Sequence, residues 1–222
     1  MLSDMNLVHS SFYITYAFLM TTATITFIEA LRTKDDTIRH IMNLETCISL
    51  VATFFYSKFV GMLEDSPDGV IDYKTIHFTR YLDWSITTPM MLLVLLMALR
   101  YNSNSGSIHF KYYGLIALLN FGMLWFGYLG ETDVLDKTFA NFSGFLCFFG
   151  LCYFIYSQYV SKKYTFDNYI LFSAFFVLWS CYGLVYLLDD TQKNIMYNIL
   201  DLFAKCFMGI FFWAYYTKIF SI

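Results

Sequence analysis

Charged residues are scarce in this chain of 222 residues: Asp, Glu, Lys and Arg make up 14% of it, whereas soluble domains carry about 25%. Proline contributes 2 residues and glycine 11, which argues against disorder and against a loop-rich all-β scaffold. The net charge of -3 gives no basic excess, so we expect no nucleic-acid partner. Apolar residues are abundant instead, since 58% of the residues are hydrophobic and 22% are aromatic. Lipid is therefore the predicted surroundings of this protein.

The residue types that bind transition metals show no ligand pattern. The five cysteines all lie inside apolar stretches, which predicts reduced core residues rather than disulfides or metal ligands. They are Cys47, Cys147, Cys152, Cys181 and Cys206. The four histidines lie at the ends of apolar runs and lack metal-ligand spacing. They are His9, His40, His77 and His109. We expect no metal site.

Seven apolar runs are long enough, at roughly 20 residues each, to cross a bilayer as helices. They are continuous, whereas a membrane β-barrel would show short segments of alternating hydrophobicity. The predicted helices are 8–31, 39–62, 77–99, 109–129, 139–160, 167–188 and 193–218. No charged leader with a cleavage site precedes the first run, so we expect it to be retained. The prediction is an all-α, integral, multi-pass membrane protein, a single seven-helix bundle over residues 1–222, in the plasma membrane or a host-cell membrane.

Charge is distributed unequally between the two sets of connections. The basic set is Arg32, Lys34, Arg39, Arg100, Lys111, Lys162, Lys163 and Lys218. The acidic set is Asp4, Glu64, Asp65, Asp68, Asp72, Glu131, Asp133, Asp136, Asp189 and Asp190. Because basic loops stay in the cytoplasm, we predict an extracellular N-terminus and a cytoplasmic C-terminus.

Five ionisable residues remain at membrane depth: Glu45, Arg80, Asp83, Asp201 and Lys205. A charge at the centre of a membrane helix costs about 2.5–3.5 kcal/mol on insertion scales, so such residues usually face one another and mark a pathway. Arg80 and Asp83 share a helix face at a spacing of three, as do Asp201 and Lys205 at a spacing of four. One interpretation is a structural ion-pair cluster. The other is a lysine in an apolar pocket that forms a Schiff base, with two carboxylates compensating the protonated imine.

Four segments carry a family resemblance. The third span contains RYLDWSITTP at residues 80–89 and the seventh contains DLFAK at 201–205. The sixth contains WSCY at 179–182, and the fourth ends with FGYLGE at 126–131. Together they resemble the microbial (type 1) rhodopsins over the whole seven-helix frame, and the end of the fourth span is similar to proteorhodopsins. The abundance of Phe, Tyr, Ile, Asn and Lys and the compact length are similar to the rhodopsins of giant viruses of marine protists.

The resemblance implies a photoactive protein, not an enzyme, that binds all-trans-retinal covalently through Lys205 as a protonated Schiff base. Asp83 would then be the primary counterion and proton acceptor, Asp201 the second counterion and Arg80 the outward-facing gate. Thr87 lies one turn beyond Asp83, where its hydroxyl can bond the carboxylate. The retinal-pocket positions are Tyr56, Trp84, Thr88, Met91, Met123, Gly127, Trp179, Tyr182 and Tyr186. Tyr56 and Tyr182 would hydrogen-bond Asp201. The apolar Met91 at the colour-tuning position implies green absorption.

One departure from the family pattern concerns proton refilling. Val94, eleven residues after Asp83, stands where the archetypal outward pumps carry the carboxylate that reprotonates the Schiff base. Glu45 is the substitute that we favour, because it precedes Tyr56 by eleven residues and so lies about 16 Å nearer the cytoplasm. An apolar setting keeps a carboxyl neutral, as a proton donor must be. The alternatives are a carboxylate that lines an ion pore and a packing contact to a neighbouring helix.

Other departures concern the sixth helix and the proton exit. Gly183 replaces the usual proline, which changes how that helix kinks. The extracellular glutamate pair of proton release has no counterpart, and Lys193 occupies one of its places. Phe55 is nearest in register to the second-helix histidine of many proteorhodopsins. His77, three residues before Arg80, is a further candidate for the exit path.

The leading functional prediction is a light-driven outward proton pump that transports H+ across a lipid bilayer. A light-gated cation channel is the first alternative, although the second span offers Glu45 alone as a pore carboxylate. A photosensor with a separate transducer is the second. The Asp83 and Thr87 pair argues against a chloride or sodium pump, and very short cytoplasmic loops argue against a G-protein-coupled receptor. Family members commonly assemble, so we expect a homo-oligomer, either a trimer or a pentamer.

Overall fold

A computed structural model describes residues 2–65 and 71–217, with side chains from residue 6 onward. Within these ranges seven helices are long and apolar enough to cross a membrane, which confirms the predicted fold class. They are α1 (Leu2–Arg32), α2 (Asp36–Glu64), α3 (Tyr73–Asn102), α4 (Phe110–Glu131), α5 (Lys137–Val160), α6 (Phe166–Val185) and α7 (Asp190–Tyr216). Asp68, Lys218 and the side chain of Asp4, which belong to the predicted charge distribution, lie outside the described residues.

Several helices begin earlier than predicted because the residues that cap them are polar and lie outside the apolar runs. Asp35, Asp136 and Asp189 precede α2, α5 and α7, and each carboxylate accepts hydrogen bonds from backbone N–H groups of the first turn. Such caps satisfy donors that have no partner within the helix. In contrast, α6 ends at Val185 rather than at residue 188.

Two helices contain π-helical turns, in which the backbone hydrogen bonds skip one extra residue. One closes α5 at Tyr156–Val160, and the other interrupts α7 at Leu202–Phe207. Turns of this kind are rare and are found frequently at functional sites. Lys205 lies within the second one, so the backbone of α7 departs from regular α-geometry around this residue.

The chain divides into two compact units. The first comprises Met1–Asp83 and Leu188–Ile222, and so contains α1, α2, the start of α3 and α7. Its core includes the rings of Phe12, Tyr56 and Phe59, whose centroids lie 5.3–6.0 Å apart. The buried face of α2 thus packs against α1 through aromatic contacts.

The second unit, Trp84–Leu187, contains the rest of α3 with α4, α5 and α6. Phe148 of α5 stacks on Phe176 of α6 with ring centroids 5.7 Å apart, and Asn168 Nδ2 of α6 donates to the Leu99 carbonyl of α3 at 2.9 Å. The buried amide of Asn168 therefore fixes the position of α6 relative to α3 more specifically than apolar packing alone would.

The cysteines carry free thiols. Cys152 and Cys206 are buried, as predicted, and Cys147 and Cys181 are half-buried. The prediction of a core position was wrong for Cys47, which is exposed. Cys47 shares α2 with Glu45 but points away from the buried face of that helix, so it is free to meet lipid.

Candidate functional site

The amine of Lys205 lies between two buried carboxylates. Its Nζ is 2.6 Å from Asp83 Oδ2 of α3 and 3.2 Å from Asp201 Oδ2 of its own helix. All three side chains are within 1% of complete burial. A charge at such depth is stable only when an opposite charge and hydrogen bonds compensate it. The structure thus brings together the three ionisable residues that the sequence placed on facing helices.

Arg80 supplies a second positive charge to this cluster. Its Nη1 lies 3.8 Å from Asp201 Oδ2, and Tyr56 Oη donates to the same carboxylate oxygen at 3.0 Å. Arg80 Nη1 also donates to Tyr56 Oη at 3.4 Å. With Lys205 and Arg80 against Asp83 and Asp201, the formal charges of the cluster balance. The predicted hydrogen bond from Tyr56 to Asp201 is present.

The guanidinium of Arg80 is held by two asparagine side chains of α7. Its Nη2 donates to Asn198 Oδ1 at 2.8 Å and to Asn194 Oδ1 at 3.1 Å. Aromatic rings surround the cation, with centroids 5.0 Å away for Phe59 and 5.5 Å away for Tyr197. A guanidinium group prefers hydrogen-bond acceptors in its plane and aromatic rings close to it, and Arg80 has both.

Asn198 and Asn194 were not among the predicted site residues. The signal that could have found them is their spacing, because Asn194, Asn198, Asp201 and Lys205 recur at intervals of three and four along α7. Residues so spaced share one face of a helix. A polar stripe on an otherwise apolar membrane helix therefore marks the side of α7 that carries the site.

Asn198 is itself fixed by α1. Its Nδ2 donates to Ser11 Oγ at 2.9 Å, and its backbone carbonyl accepts from Thr15 Oγ1 at 3.1 Å. Its Oδ1 also lies 3.0 Å from Tyr56 Oη, so the one hydroxyl hydrogen of Tyr56 is shared between Asn198 and Asp201. The side-chain amide of Asn198 therefore links α7 with α1, α2 and α3 around one cation, which an apolar side chain could not do.

Polar contacts continue from Arg80 to the end of α7. Asn194 Nδ2 lies 3.1 Å from His77 Nε2 and donates to the Asp190 carbonyl at 2.8 Å. The buried Lys193 amine pairs with Asp190 Oδ1 at 2.9 Å, and the Asp190 side chain is half exposed. A chain of polar groups thus connects the buried charges with the surface at this end of the first unit.

Glu45 lies on the opposite side of Lys205 from the two aspartates. Its Oε2 is 3.1 Å from the position that a β-carbon on Gly209 would take. Along α7, Asp201 precedes Lys205 by four residues and Gly209 follows it by four. Asp201 and the contact between Glu45 and Gly209 therefore lie about one helical turn from Lys205, in opposite directions along the helix. Glu45 is 4% exposed, and among the described residues no hydrogen bond or ion pair reaches its carboxyl.

The second unit contains most of the residues predicted to line a retinal pocket. The indole of Trp84 meets the ring of Tyr182 edge to face, with centroids 5.5 Å apart. Trp179 packs on Phe175 at 4.6 Å. Met91, Met123 and Gly127 are half-buried, and Thr87 is buried. Aromatic rings and flexible thioethers of this kind provide flat apolar walls.

Two hydrogen bonds fix further pocket positions within this unit. Tyr186 Oη donates to the Gly127 carbonyl at 3.0 Å, and Asn120 Nδ2 donates to Thr88 Oγ1 at 2.8 Å. Sequence reasoning missed Asn120 because a single neutral amide in the fourth span carries no charge or spacing signal. It joins α4 to α3 at a predicted pocket residue.

Gly183 allows a close approach between α5 and α6. A β-carbon on this residue would lie 2.6 Å from Cε2 of Phe145, a separation that real side chains do not adopt. The sequence comparison with the family pattern marked the missing proline at this position. The structure adds that the absence of any side chain is what the Phe145 ring requires.

Fold and site together define a seven-helix membrane protein with a lysine held between two buried carboxylates. Residues 7–219 match the family described as bacteriorhodopsin-like protein, and the chain belongs to this family. It is therefore an integral, multi-pass membrane protein, one of the microbial rhodopsins, which are light-driven transporters or sensors and not enzymes.

Known relatives agree with this assignment. The crystal structure of the viral rhodopsin OLPVRII has 52% sequence identity and a TM-score of 0.90, and the match covers 97% of this chain and 100% of that chain. A green-light absorbing proteorhodopsin from the gamma-proteobacterium EBAC31A08 is 22% identical over 94% of this chain and 86% of its own. The proton pumping rhodopsin AR2 of the marine alga Acetabularia acetabulum is 18% identical, with a TM-score of 0.75 and 97% of each chain covered; this likeness concerns the fold.

Family membership implies a retinal chromophore, and the residues present fit such a group. A lysine amine can form an imine with the aldehyde of retinal, and the positive charge on a protonated imine needs buried negative charge nearby. Asp83 and Asp201 provide it at 2.6 and 3.2 Å from the Lys205 nitrogen. The donor set therefore suits a cationic, covalently bound chromophore.

Proposed function

We propose that the protein is a light-driven outward proton pump in which all-trans-retinal is bound to Lys205 as a protonated Schiff base. Retinal supplies light absorption and an isomerisation that changes the surroundings of the Lys205 nitrogen. The proposal is carried by one observation: the carboxyl groups suited to accept and to return a proton lie on opposite sides of that nitrogen along α7. Asp83 is 2.6 Å from it, and Glu45 lies against Gly209, four residues further on.

Asp83 is the proposed acceptor of the proton that leaves the Lys205 nitrogen. Its Oδ2 makes the shorter of the two carboxylate contacts. Asp201 keeps its negative charge because Arg80 lies 3.8 Å away and Tyr56 donates a hydrogen bond to it. The two aspartates thus take different roles through their neighbours, one poised to be protonated and one held ionised.

The proposed exit path starts at Arg80. Transfer of the proton from the Lys205 nitrogen to Asp83 neutralises both groups together, so the cluster stays balanced and Asp201 is left as the anionic partner of the Arg80 guanidinium. The hydrogen bonds of the guanidinium lead through Asn194 to the backbone carbonyl of Asp190, whose half-exposed carboxylate pairs with Lys193. A proton released along this chain reaches the side that carries the acidic connections, which we assign to the exterior.

Glu45 is the proposed donor that refills the Lys205 nitrogen. A carboxylate without a hydrogen bond or countercharge is unfavourable in an apolar setting, so the neutral acid is the stable form. Glu45 has neither among the described residues and is almost fully buried. It therefore holds a proton that it can give up when the nitrogen becomes a free base. The missing carboxylate at Val94 leaves this task unfilled in α3.

The order of acceptor and donor gives the direction of transport. With Asp190 outside and Glu45 on the cytoplasmic side, each cycle moves one proton outward, which costs about 2.3 kcal/mol against 100 mV. The rhodopsin of Acetabularia acetabulum is described as proton pumping, which is consistent with such a role. We also propose green absorption from Met91, and a homo-oligomer, either a trimer or a pentamer.

The test is pH recording on an unbuffered suspension of expressing cells that have been given all-trans-retinal. We expect light to acidify the medium, a protonophore to abolish the signal, and Lys205→Ala to remove the pigment. Pigmented cells without acidification would contradict the pump. Photocurrents that reverse with the ion gradient under voltage clamp would instead establish the light-gated channel. Pigmented cells that show neither acidification nor photocurrents would point to a photosensor.

Glu45 requires a measurement of its own. In flash photolysis, Glu45→Gln should slow the return of the proton to the Lys205 nitrogen, while the earlier transfer to Asp83 keeps its rate. Added azide, a small diffusible acid, should restore the return step. An unchanged return rate in Glu45→Gln would remove this residue from the donor role without affecting the assignment of Lys205 and Asp83.

A further inference from the structure

Gly209 lies against the carboxyl of Glu45, and this close approach is possible because glycine has no side chain. A β-carbon on this residue would lie 3.1 Å from Glu45 Oε2 and 2.8 Å from Cγ2 of Thr22. Ordinary contacts of a β-carbon with carbon or oxygen are about 3.4–4 Å. The space beside Gly209 is therefore already filled by groups from α1 and α2, and a methyl group at this position would have to displace one of them.

The two threonines that border this space turn methyl groups toward Gly209. Cγ2 of Thr22 lies 2.8 Å from the β-carbon position of Gly209, and Cγ2 of Thr26 lies 3.8 Å from it. The Thr26 hydroxyl is engaged elsewhere, with the Thr22 carbonyl at 2.9 Å and with Thr46 Oγ1 at 2.9 Å. Thr46 in turn donates to the Met42 carbonyl at 2.8 Å. The Thr26 and Thr46 hydroxyls are thus engaged with each other and with backbone carbonyls, and the groups of α1 that meet the β-carbon position of Gly209 are methyl groups.

We propose that Gly209 is a positioning residue for proton refilling: its missing side chain lets the Glu45 carboxyl lie against α7 one turn beyond Lys205. This inference rests on the proposed function, in which Glu45 is the donor. Of the two neighbours, Thr22 is β-branched and its rotamer is stiff, whereas the Glu45 side chain has three rotatable bonds. An added methyl group therefore moves the carboxyl away from α7 and from the nitrogen that it serves.

Close helix packing is the other use of a small residue in a membrane helix, and it makes different predictions. A packing role would lower thermal stability and affect every photocycle step to a similar degree. A positioning role affects the step that Glu45 performs and requires Glu45 to be present. The experiment therefore compares individual steps and repeats the substitution in a chain that lacks the donor.

The experiment is flash photolysis of retinal-reconstituted Gly209→Ala in lipid vesicles, with Gly61→Ala of α2 as the matched control. A β-carbon on Gly61 meets nothing within 4 Å, so the control reports the general effect of a helical glycine-to-alanine change. We expect Gly209→Ala to slow the return of the proton about tenfold, equivalent to about 1.4 kcal/mol in the barrier. The transfer to Asp83 should keep its rate, and the infrared carboxyl band of Glu45 should shift. Gly61→Ala should leave all three unchanged.

The Glu45→Gln background separates the two roles. We expect Gly209→Ala to have little further effect on the return rate there, because residues that act through one another are not additive. Equal slowing in both backgrounds would show a packing role and overturn the inference. Normal return in Gly209→Ala, with slow return in Glu45→Gln, would overturn it too while leaving the donor intact. Normal return in Glu45→Gln would instead refute the donor proposal itself.

A second variant keeps the inference testable if Gly209→Ala yields no pigment. Thr22→Ser removes the Cγ2 atom that lies 2.8 Å from the new methyl group and leaves the hydroxyl. Gly209→Ala combined with Thr22→Ser then retains the contact with Glu45 as the tightest one. We expect this double variant to fold and to keep both the slow return and the shifted carboxyl band, with Thr22→Ser alone close to wild type. A double variant with a normal return rate would overturn the inference.

Discussion

Asn198 holds the guanidinium of Arg80, with Oδ1 2.8 Å from Nη2. Both side chains are buried, so water does not compete for this hydrogen bond. Asn198 reaches Arg80 from α7, and its own amide nitrogen is tied to Ser11 of α1. The position of the Arg80 cation in the proposed exit path is therefore set by a neutral residue of α7 that is itself hydrogen-bonded to α1.

Replacing Asn198 with alanine should affect both stability and proton release. The change leaves an Nη2 hydrogen of Arg80 without its acceptor, and an unsatisfied buried polar group costs about 1–3 kcal/mol. We expect faster thermal bleaching of the pigment and altered release kinetics with a pH-indicator dye. Asn168→Ala is the control, because Asn168 is equally buried and donates to the Leu99 carbonyl. It should lose stability with unchanged release, and normal release in Asn198→Ala would contradict the positioning of Arg80.

Asp83→Asn should convert the pigment to a form with longer-wavelength absorption. The carboxylate 2.6 Å from the Lys205 nitrogen stabilises positive charge there, and an amide removes that stabilisation from the ground state. We expect the light-induced proton transfer to slow by about tenfold or more, equivalent to at least about 1.4 kcal/mol. Absorption spectra and flash photolysis measure the two effects. Asp201→Asn should retain the transfer to Asp83, and equal loss in both variants would contradict their separate roles.

The seven helices could be predicted from the sequence because continuous apolar runs satisfy the length that a bilayer imposes. Their ends could not be predicted as well, because Asp35 and Asp189 cap helices from outside those runs. The proximity of Lys205, Asp83 and Asp201 followed from the cost of isolated charges in lipid. Charge is thus a strong signal in a membrane chain, and it identified the centre of the site.

Neutral contacts lacked such a signal. Asn198 and Asn120 carry no charge, and their partners lie on other helices. The contact of Glu45 with Gly209 depends on how closely α1, α2 and α7 approach one another. Apolar periodicity predicts which face of a helix is buried, but it does not give the distance between the helices. Asn120 and the contact of Gly209 could therefore be found only from coordinates, whereas Asn198 left a weaker signal in its spacing along α7.

Asn120→Ala should cost less stability than Asn198→Ala. Asn120 Nδ2 donates to Thr88 at 2.8 Å, but its Oδ1 meets no hydrogen-bond donor among the described residues. Removing the amide therefore breaks one hydrogen bond, worth about 1 kcal/mol, and also removes an unsatisfied acceptor. Thermal bleaching rates of the two variants give the comparison. A larger loss for Asn120→Ala would mean that its oxygen has a partner, such as an ordered water.

Gly183→Ala should destabilise the pigment through a clash with Phe145. The new β-carbon would lie 2.6 Å from Cε2 of the ring, and overpacking of a core usually costs about 1–3 kcal/mol. Phe145→Leu should relieve this clash, so that the double variant is more stable than the sum of the single changes predicts. Gly114→Ala of α4 serves as the control, since a β-carbon there meets nothing within 4 Å.

Thermal bleaching and the yield of pigment after retinal addition measure the coupling between Gly183 and Phe145. Additive effects of Gly183→Ala and Phe145→Leu would show that the ring moves aside without cost. A positive coupling would show instead that α5 and α6 approach each other closely because residue 183 is a glycine. The departure from the family's proline would then be explained by the size of one neighbouring ring, and any proline introduced at this position should fail to form stable pigment unless Phe145 is also made smaller.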